Sequence, residues 1–235
     1  MRFSKWHALG NVYLLCERDD GRPPLTRALA RELCGDADGI VEVAAIRGTE
    51  ADVIVWNRDG STAELSGNGT RIAARWLAER AATDSVLIRV GERSVAARLL
   101  PSGDIETEVG DVEVARAETV DGVEVVPVSV GNPHAVVSGD PEDVAELGPR
   151  LTAHPRFPNG VNVEVARVVG PGEVEARVWE RGVGETQSSG TGAVAVAAAT
   201  HGEGAVAVRF PGGVQRVRLT DRRAWLTGPA ERIAD

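Results

Sequence analysis

Apolar positions along this chain gather in short β-branched runs. Those at residues 86–90, 94–100, 123–130, 161–168 and 214–219 are bounded by Gly, Pro or Asp and predict strands. Helices are fewer and clearly punctuated. Residues 26–34 predict the first, capped by Thr26 and stopped by Gly35. Asp140-Pro141-Glu142 opens another with a cap, a proline at the first position and an acid in the first turn, and Gly148-Pro149 ends it. Two further helices run over about residues 67–80 (GNGTRIAARWLAER) and 190–200 (GTGAVAVAAAT).

These last two open on nearly the same phrase, Glu64-Leu-Ser-Gly-Asn-Gly69 and Thr186-Gln-Ser-Ser-Gly-Thr-Gly192, each after a strand carrying a carboxylate. Serine followed by Gly-x-Gly thus recurs 123 residues apart, which reads as an internal duplication of one strand–turn–helix unit. The expected organisation is two similarly built halves, residues 1–115 and 116–223, separated in the acidic, small-residue stretch at 110–120. A closing segment, 224–235, crosses back to the first half, led by a strand at 224–227.

A helix start exposes unpaired backbone N–H groups and a partial positive charge, and glycine lets a ligand approach them. Gly67-Asn68-Gly69 and Gly190-Thr191-Gly192 could therefore form two anion cradles. If the halves face each other, one carboxylate lies between both tips, with Ser66 and Ser189 on opposite faces of the neighbouring α-carbon. One group to remove a proton and another to return one on the opposite face is what racemisation without a cofactor requires. Taken singly, each serine is equally an ordinary N-cap.

Composition narrows the field. With 235 residues, 43% hydrophobic and 26% charged, the chain is an ordinary globular protein, long enough for two domains of about 100–120 residues. A net charge of −9 leaves no basic excess for nucleic acid or anionic membrane. Cys16 and Cys34 have neither metal-ligand nor disulfide-framework spacing and read as small buried hydrophobes. No apolar run approaches 18 residues and the polar N-terminus does not read as a signal peptide, so a cytoplasmic location is expected. No metal site, P-loop or dinucleotide fingerprint is expected. His7, His154 and His201 read as structural; His134 reads as either an orienting group near a base or a packed residue.

Five phrases in order, Lys5-Trp-His-Ala-Leu-Gly-Asn11, Asn57 through Gly69, Gly131-Asn-Pro-His134, Gly160-Val-Asn-Val-Glu164 and Glu180 through Gly192, followed by Trp225-Leu-Thr-Gly-Pro229, carry a likeness across nearly the whole chain. The sequence resembles the diaminopimelate epimerases, cofactor-independent enzymes that invert one α-carbon of diaminopimelate on the route to lysine and peptidoglycan. The resemblance implies an α+β fold of two pseudo-symmetric domains, each a mostly antiparallel sheet wrapped around a long central helix, with the site between them. It implies Ser66 and Ser189 at the acid–base positions and Gly67, Asn68, Gly190 and Thr191 at the carboxylate cradles. Asn11, Asn57, Asn132 and Asn162 are implied as amide contacts, though each also suits an Asx turn or a strand-end cap. Glu180 and Arg181 are implied to hold the ammonium and carboxylate of the ligand's far end. No cofactor is implied, the partner is a small amino acid, and a homodimer is consistent with the family.

One departure governs the chemistry. The resemblance places cysteines where this chain has Ser66 and Ser189. A thiol has a pKa near 8.5, while an alcohol belongs with water at about 15.7. A gap of roughly seven units at about 1.4 kcal/mol each is on the order of 10 kcal/mol against forming the base. A helix dipole recovers about 2 kcal/mol at best. The chain as written is therefore expected to be an epimerase inactivated at both acid–base positions. Three origins stay open: a deliberate Cys-to-Ser pair, a divergent isomerase or lyase using another base, or a non-catalytic amino-acid binder. No histidine or lysine beside either motif supplies the other base. The chain is also somewhat short for the family, which suggests trimmed loops, and Val12 stands where an acid commonly follows the asparagine.

Overall fold

The computed structural model describes residues 3–19, 21–63 and 66–233. The chain folds as two compact units, Met1–Thr107 with Gly228–Asp235, and Glu108–Thr227.

The first unit contains β1 (Phe3–Ala8), β2 (Asn11–Glu17), α1 (Arg27–Cys34), β3 (Gly39–Arg47), β4 (Glu50–Asn57), α2 (Gly67–Ala81), β5 (Ser85–Val90) and β6 (Arg93–Leu99). The strand β7 (Ile105–Asp111) begins in it. In chain order the pairings are antiparallel β1–β2, parallel β2–β3, antiparallel β3–β4, parallel β4–β5, then antiparallel β5–β6 and β6–β7. Each parallel step is spanned by a helix, α1 for the first and α2 for the second, because parallel neighbours cannot be joined by a tight turn.

The second unit repeats this grammar. Its elements are β8 (Glu113–Val114), β9 (Glu118–Val120), β10 (Val123–Ser129), β11 (Pro133–Ser138), the 3₁₀ turn η1 (Pro141–Asp143), α3 (Val144–Thr152), β12 (Asn162–Gly170), β13 (Glu173–Glu180) and β14 (Gly184–Thr186). They are followed by α4 (Gly190–Thr200), β15 (Gly204–Phe210), β16 (Gly213–Thr220) and β17 (Arg223–Gly228). Antiparallel β10–β11 leads to parallel β11–β12, antiparallel β12–β13, parallel β13–β15 and antiparallel β15–β16 and β16–β17. The order of pairing senses matches the first unit strand for strand, with α3 and α4 at the two parallel steps.

Sequence punctuation explains the helices. Thr26 caps α1, its Oγ1 accepting the Leu29 N–H at 3.2 Å, and Gly35 ends it at φ 54°. The central helices α2 and α4 cover the predicted residues. In α4 every residue from Gly190 to Ala198 is buried, and Val194 and Val196, wholly enclosed, each contribute about 2 kcal/mol of hydrophobic stabilisation. A helix apolar on all sides must lie inside its sheet. Each unit has one main core around its central helix, centred on Ile72 and Leu77 in the first and on Val194 and Val196 in the second. Each has a smaller core beneath its other helix, with Ala30 and Cys34 in the first and Val144 and Leu151 in the second.

Three expectations change. Gly148-Pro149 does not end the third helix: α3 runs on to Thr152 with Pro149 inside it. Gly148 is there for proximity, since a Cβ at that position would lie 2.5 Å from the Trp179 Cβ. The last turn is held by wholly buried Leu151 and by Arg150, which bonds Glu146 at 3.1 Å and Asp121 at 3.0 Å. The division between units falls after Thr107 because residues beyond it join the second sheet: Val114 pairs with Val128, and Val112 N–H donates to Arg222 O at 2.8 Å. The return to the first unit is made by β18 (Glu231–Arg232) against β1, whereas residues 224–227 stay in β17 beside β16. Glu64, the carboxylate expected before α2, lies outside the described residues.

Cys16 and Cys34 are free and buried. Burial pushes the Cys16 thiol up to about 12 and raises that of Cys34, so both are packing groups. Among the described residues no helix is long and apolar enough to cross a membrane, and no cluster of three or more His, Cys, Asp or Glu side chains could hold a metal.

Candidate active site

The two serine tips are made alike. Ser66 and Ser189 are N-caps in extended conformation, at φ −126° and −133°. Ser66 Oγ accepts the Gly69 N–H at 3.1 Å, and Ser189 Oγ accepts the Gly192 N–H at 3.2 Å. The likeness extends backwards without a gap: residues 55–70 align with 178–193 at the same 123-residue offset, so Val55-Trp56-Asn57-Arg58 corresponds to Val178-Trp179-Glu180-Arg181. Each serine is thus an N-cap, as the sequence alone allowed, and each stands at an equivalent point in its unit.

In the first unit Asn11 opens β2, buried at 9% exposure. Asn57 ends β4 and donates through Nδ2 to Ser61 Oγ at 3.0 Å. Gly67 and Asn68 form the first turn of α2, and Asn68 Oδ1 accepts from Arg71 Nη2. Two groups not foreseen join them. Tyr13, from β2, places its hydroxyl 3.3 Å from Ser66 Oγ. Arg71 is wholly buried, its Nε and Nη1 without hydrogen-bond partners and its guanidinium against Gly228. Burial pushes Arg71 down to about 10, opposed by the attraction of Tyr13 and Asp104.

In the second unit the tip rests on a polar network. Asn132 donates through Nδ2 to Thr191 Oγ1 at 3.2 Å, which leaves Asn132 Oδ1 to accept from His134 Nε2 at 3.0 Å. His134 Nδ1 lies 2.7 Å from Glu164 Oε1, and both side chains are fully enclosed. His134 is therefore at once packed and an orienting group, bearing on Asn132 and through it on Thr191. Glu164, also unforeseen as a functional residue although it closes one of the family phrases, touches the helix start: a Cβ on Gly192 would lie 2.8 Å from its Oε1. Asn162 Oδ1 accepts the Arg181 N–H at 2.8 Å. Arg181 runs past Gly160, bonds Asn159 O at 3.0 Å and keeps an exposed head. Glu180 Oε1 accepts from Thr186 Oγ1 at 2.5 Å. Of the other histidines, His7 meets Glu231 at 3.3 Å, His154 accepts the Arg156 N–H and His201 meets Thr200, all remote in sequence from either tip.

Register makes the correspondence firm. Tyr13 pairs with Gly39, which pairs with Asn57. His134 pairs with Asn162, whose neighbour Val163 pairs with Trp179, setting Asn162 across from Glu180. Tyr13 and His134 thus hold equivalent places beneath the two helix tips.

A duplicated sheet around a buried helix is the two-unit α+β fold class, shared with solved structures named as racemases and epimerases. Solved structures of this shape include a probable proline racemase of Agrobacterium radiobacter (TM-score 0.65, 13% identity, 99% of this chain and 91% of that one). A putative phenazine biosynthesis protein of Clostridium difficile is another (TM-score 0.75, 12% identity, 99% and 96%). Within that class, the family model described as diaminopimelate epimerase matches residues 3–120 and 126–233, and the chain belongs to this family. Relatives named diaminopimelate epimerase include those of Thermobifida fusca, 37% identical over all of this chain and 97% of the relative, and Corynebacterium glutamicum, 36% identical over 99% and 96%. The Thermobifida alignment runs over 265 positions against 235 residues here, so this chain is gapped against that relative.

Proposed function

We propose that this chain binds diaminopimelate through its capped Gly-x-Gly helix starts and that serine at both acid–base positions leaves it a poor epimerase. The observation that carries the reading is the retention, at equivalent points of both units, of a serine-capped Gly-x-Gly helix start. The tips receive the carboxylate next to the reacting carbon, held by backbone N–H groups and helix-end charge. Asn11, Asn57, Asn132 and Asn162 orient the zwitterion without adding charge. Arg181, with its exposed head, and Glu180 take the carboxylate and ammonium of the far end. Ser66 and Ser189, at the acid–base positions, can carry a proton but hold it about seven pKa units too tightly. The protein acts as a homodimer in the cytoplasm, an assignment resting on family likeness and checked by sedimentation and fractionation.

Calorimetric titration with L,L-diaminopimelate, with α-deuterium uptake from heavy water followed on the same samples, tests this reading. Binding is expected for both the chain as written and its Ser66→Cys/Ser189→Cys variant, with rapid exchange and inversion in the variant alone. Ordinary enzymatic turnover by the serine form overturns the inactivity. An inert cysteine form that still binds points instead to an amino-acid binding protein, and absence of binding in both forms removes diaminopimelate as the ligand.

A further inference from the structure

The Ser66 tip has a proton-carrying neighbour that its twin has in another form. Tyr13 is the chain's one tyrosine, and its ring lies over Gly39, where a Cβ would stand 2.7 Å from Cε1. That glycine gives the ring room to bring its hydroxyl to 3.3 Å from Ser66 Oγ. Because Ser66 Oγ already accepts the Gly69 N–H, its own hydrogen can point at the phenol oxygen. Across the hairpin the partner of Tyr13 is Trp6, which brings no charge, and from α2 the charge is that of Arg71. Arg71 is wholly buried, lacks partners at Nε and Nη1, and attracts an ionised Tyr13 while Asp104 opposes that field. In the other unit the equivalent His134 is committed to Glu164 and Asn132.

We propose that Tyr13 is the proton relay partner of Ser66, accepting through the serine hydroxyl the α-proton of the bound amino acid and returning one from solvent. The inference rests on the ligand reading above. As the α-C–H bond breaks, its electron pair stays on carbon and its proton goes to Ser66 Oγ; in the same step the Ser66 hydroxyl proton passes to the Tyr13 phenolate. Ser66 then holds the abstracted proton and Tyr13 is a phenol; both hydroxyls exchange with heavy water. The reverse step, Ser66 to carbon and Tyr13 to Ser66, delivers deuterium to carbon and restores the phenolate. The relay replaces an alcohol, with a water-like pKa of about 15.7, by a phenol near 10 as the final acceptor. No redox partner is needed.

The test measures α-deuterium uptake and ligand affinity in four chains: as written, Tyr13→Phe, Ser66→Cys, and both together. In the serine background, Tyr13→Phe is expected to slow exchange by about a hundredfold, the usual contribution of one positioned acid–base group, with unchanged affinity. In the Ser66→Cys background, where the thiol is its own base, the same change should alter exchange by less than about threefold, well under that contribution. Equal slowing in both backgrounds, or no slowing in the serine one, overturns the relay and leaves the binding reading intact. So does binding by the chain as written without measurable exchange. Failure of all four chains to bind diaminopimelate overturns the ligand reading, and the relay for that substrate with it.

Discussion

The start of α2 and the start of α4 are copies of one strand–turn–helix unit, yet the ground beneath them differs. Under α4 lies a chain of hydrogen bonds, Glu164 to His134 to Asn132 to Thr191, with Glu164 close against Gly192. Under α2 the same register position holds Tyr13, turned to Ser66 itself, and the atoms nearest to a Cβ on Gly69 would be the Val55 methyls at 3.1 and 3.2 Å and the cap oxygen at 3.2 Å. The second tip is braced by a buried polar network, and the first is packed on apolar side chains with a phenol at its edge. Duplication gave both tips the same backbone, while side chains arriving from other strands set a polar network under one and a phenol beside the other.

That contrast can be strained at four points. The largest effect belongs to the serines shared by both tips. Restoring cysteine at 66 and 189 together should raise the epimerisation rate by roughly five orders of magnitude, the pKa gap of about seven units less the hundredfold that Tyr13 supplies, read by α-deuterium exchange. Next comes the brace. His134→Ala leaves Glu164 enclosed without its partner and should lower stability by about 3–5 kcal/mol in urea unfolding, whereas Tyr13→Phe, which removes one half-buried hydroxyl, should cost under about 1 kcal/mol. Equal losses would mean that the second tip is no better braced than the first. Smaller again is the glycine pair. Gly192→Ala drives a methyl into Glu164 Oε1 and should destabilise by about 1–3 kcal/mol, while Gly69→Ala should stay within about 1 kcal/mol, its modest crowding offset by helix propensity. The smallest effect should be the symmetric one: Ser66→Ala and Ser189→Ala each remove an N-cap and should cost about 1 kcal/mol apiece in thermal unfolding. A marked inequality there would break the equivalence of the caps.

Much of this was legible in the chain. Thr26 and Gly35 marked α1, the β-branched runs marked strands, and the repeated Ser-Gly-x-Gly marked both central helices, because caps and periodicity act within a few residues. The end of α3 was misread for an instructive reason. Gly148 looked like a stop, but its lack of a side chain answers to Trp179, thirty-one positions away and adjacent only in the folded sheet. The two capped helix starts and their serines were likewise visible, since a helix start is local. Tyr13, Arg71 and Glu164 were not singled out. Nothing in spacing ties Tyr13 to Ser66 across fifty-three residues, or His134 to Glu164 across thirty.

By itself, then, the sequence determined the duplication, the family and the backbone of both helix tips, all written in short-range signals that one segment carries alone. Tertiary structure decided which groups stand beneath each tip, because strands β2, β11 and β12 reach the helix starts only after pairing aligns them, and side-chain proton chemistry depends on the last few ångströms.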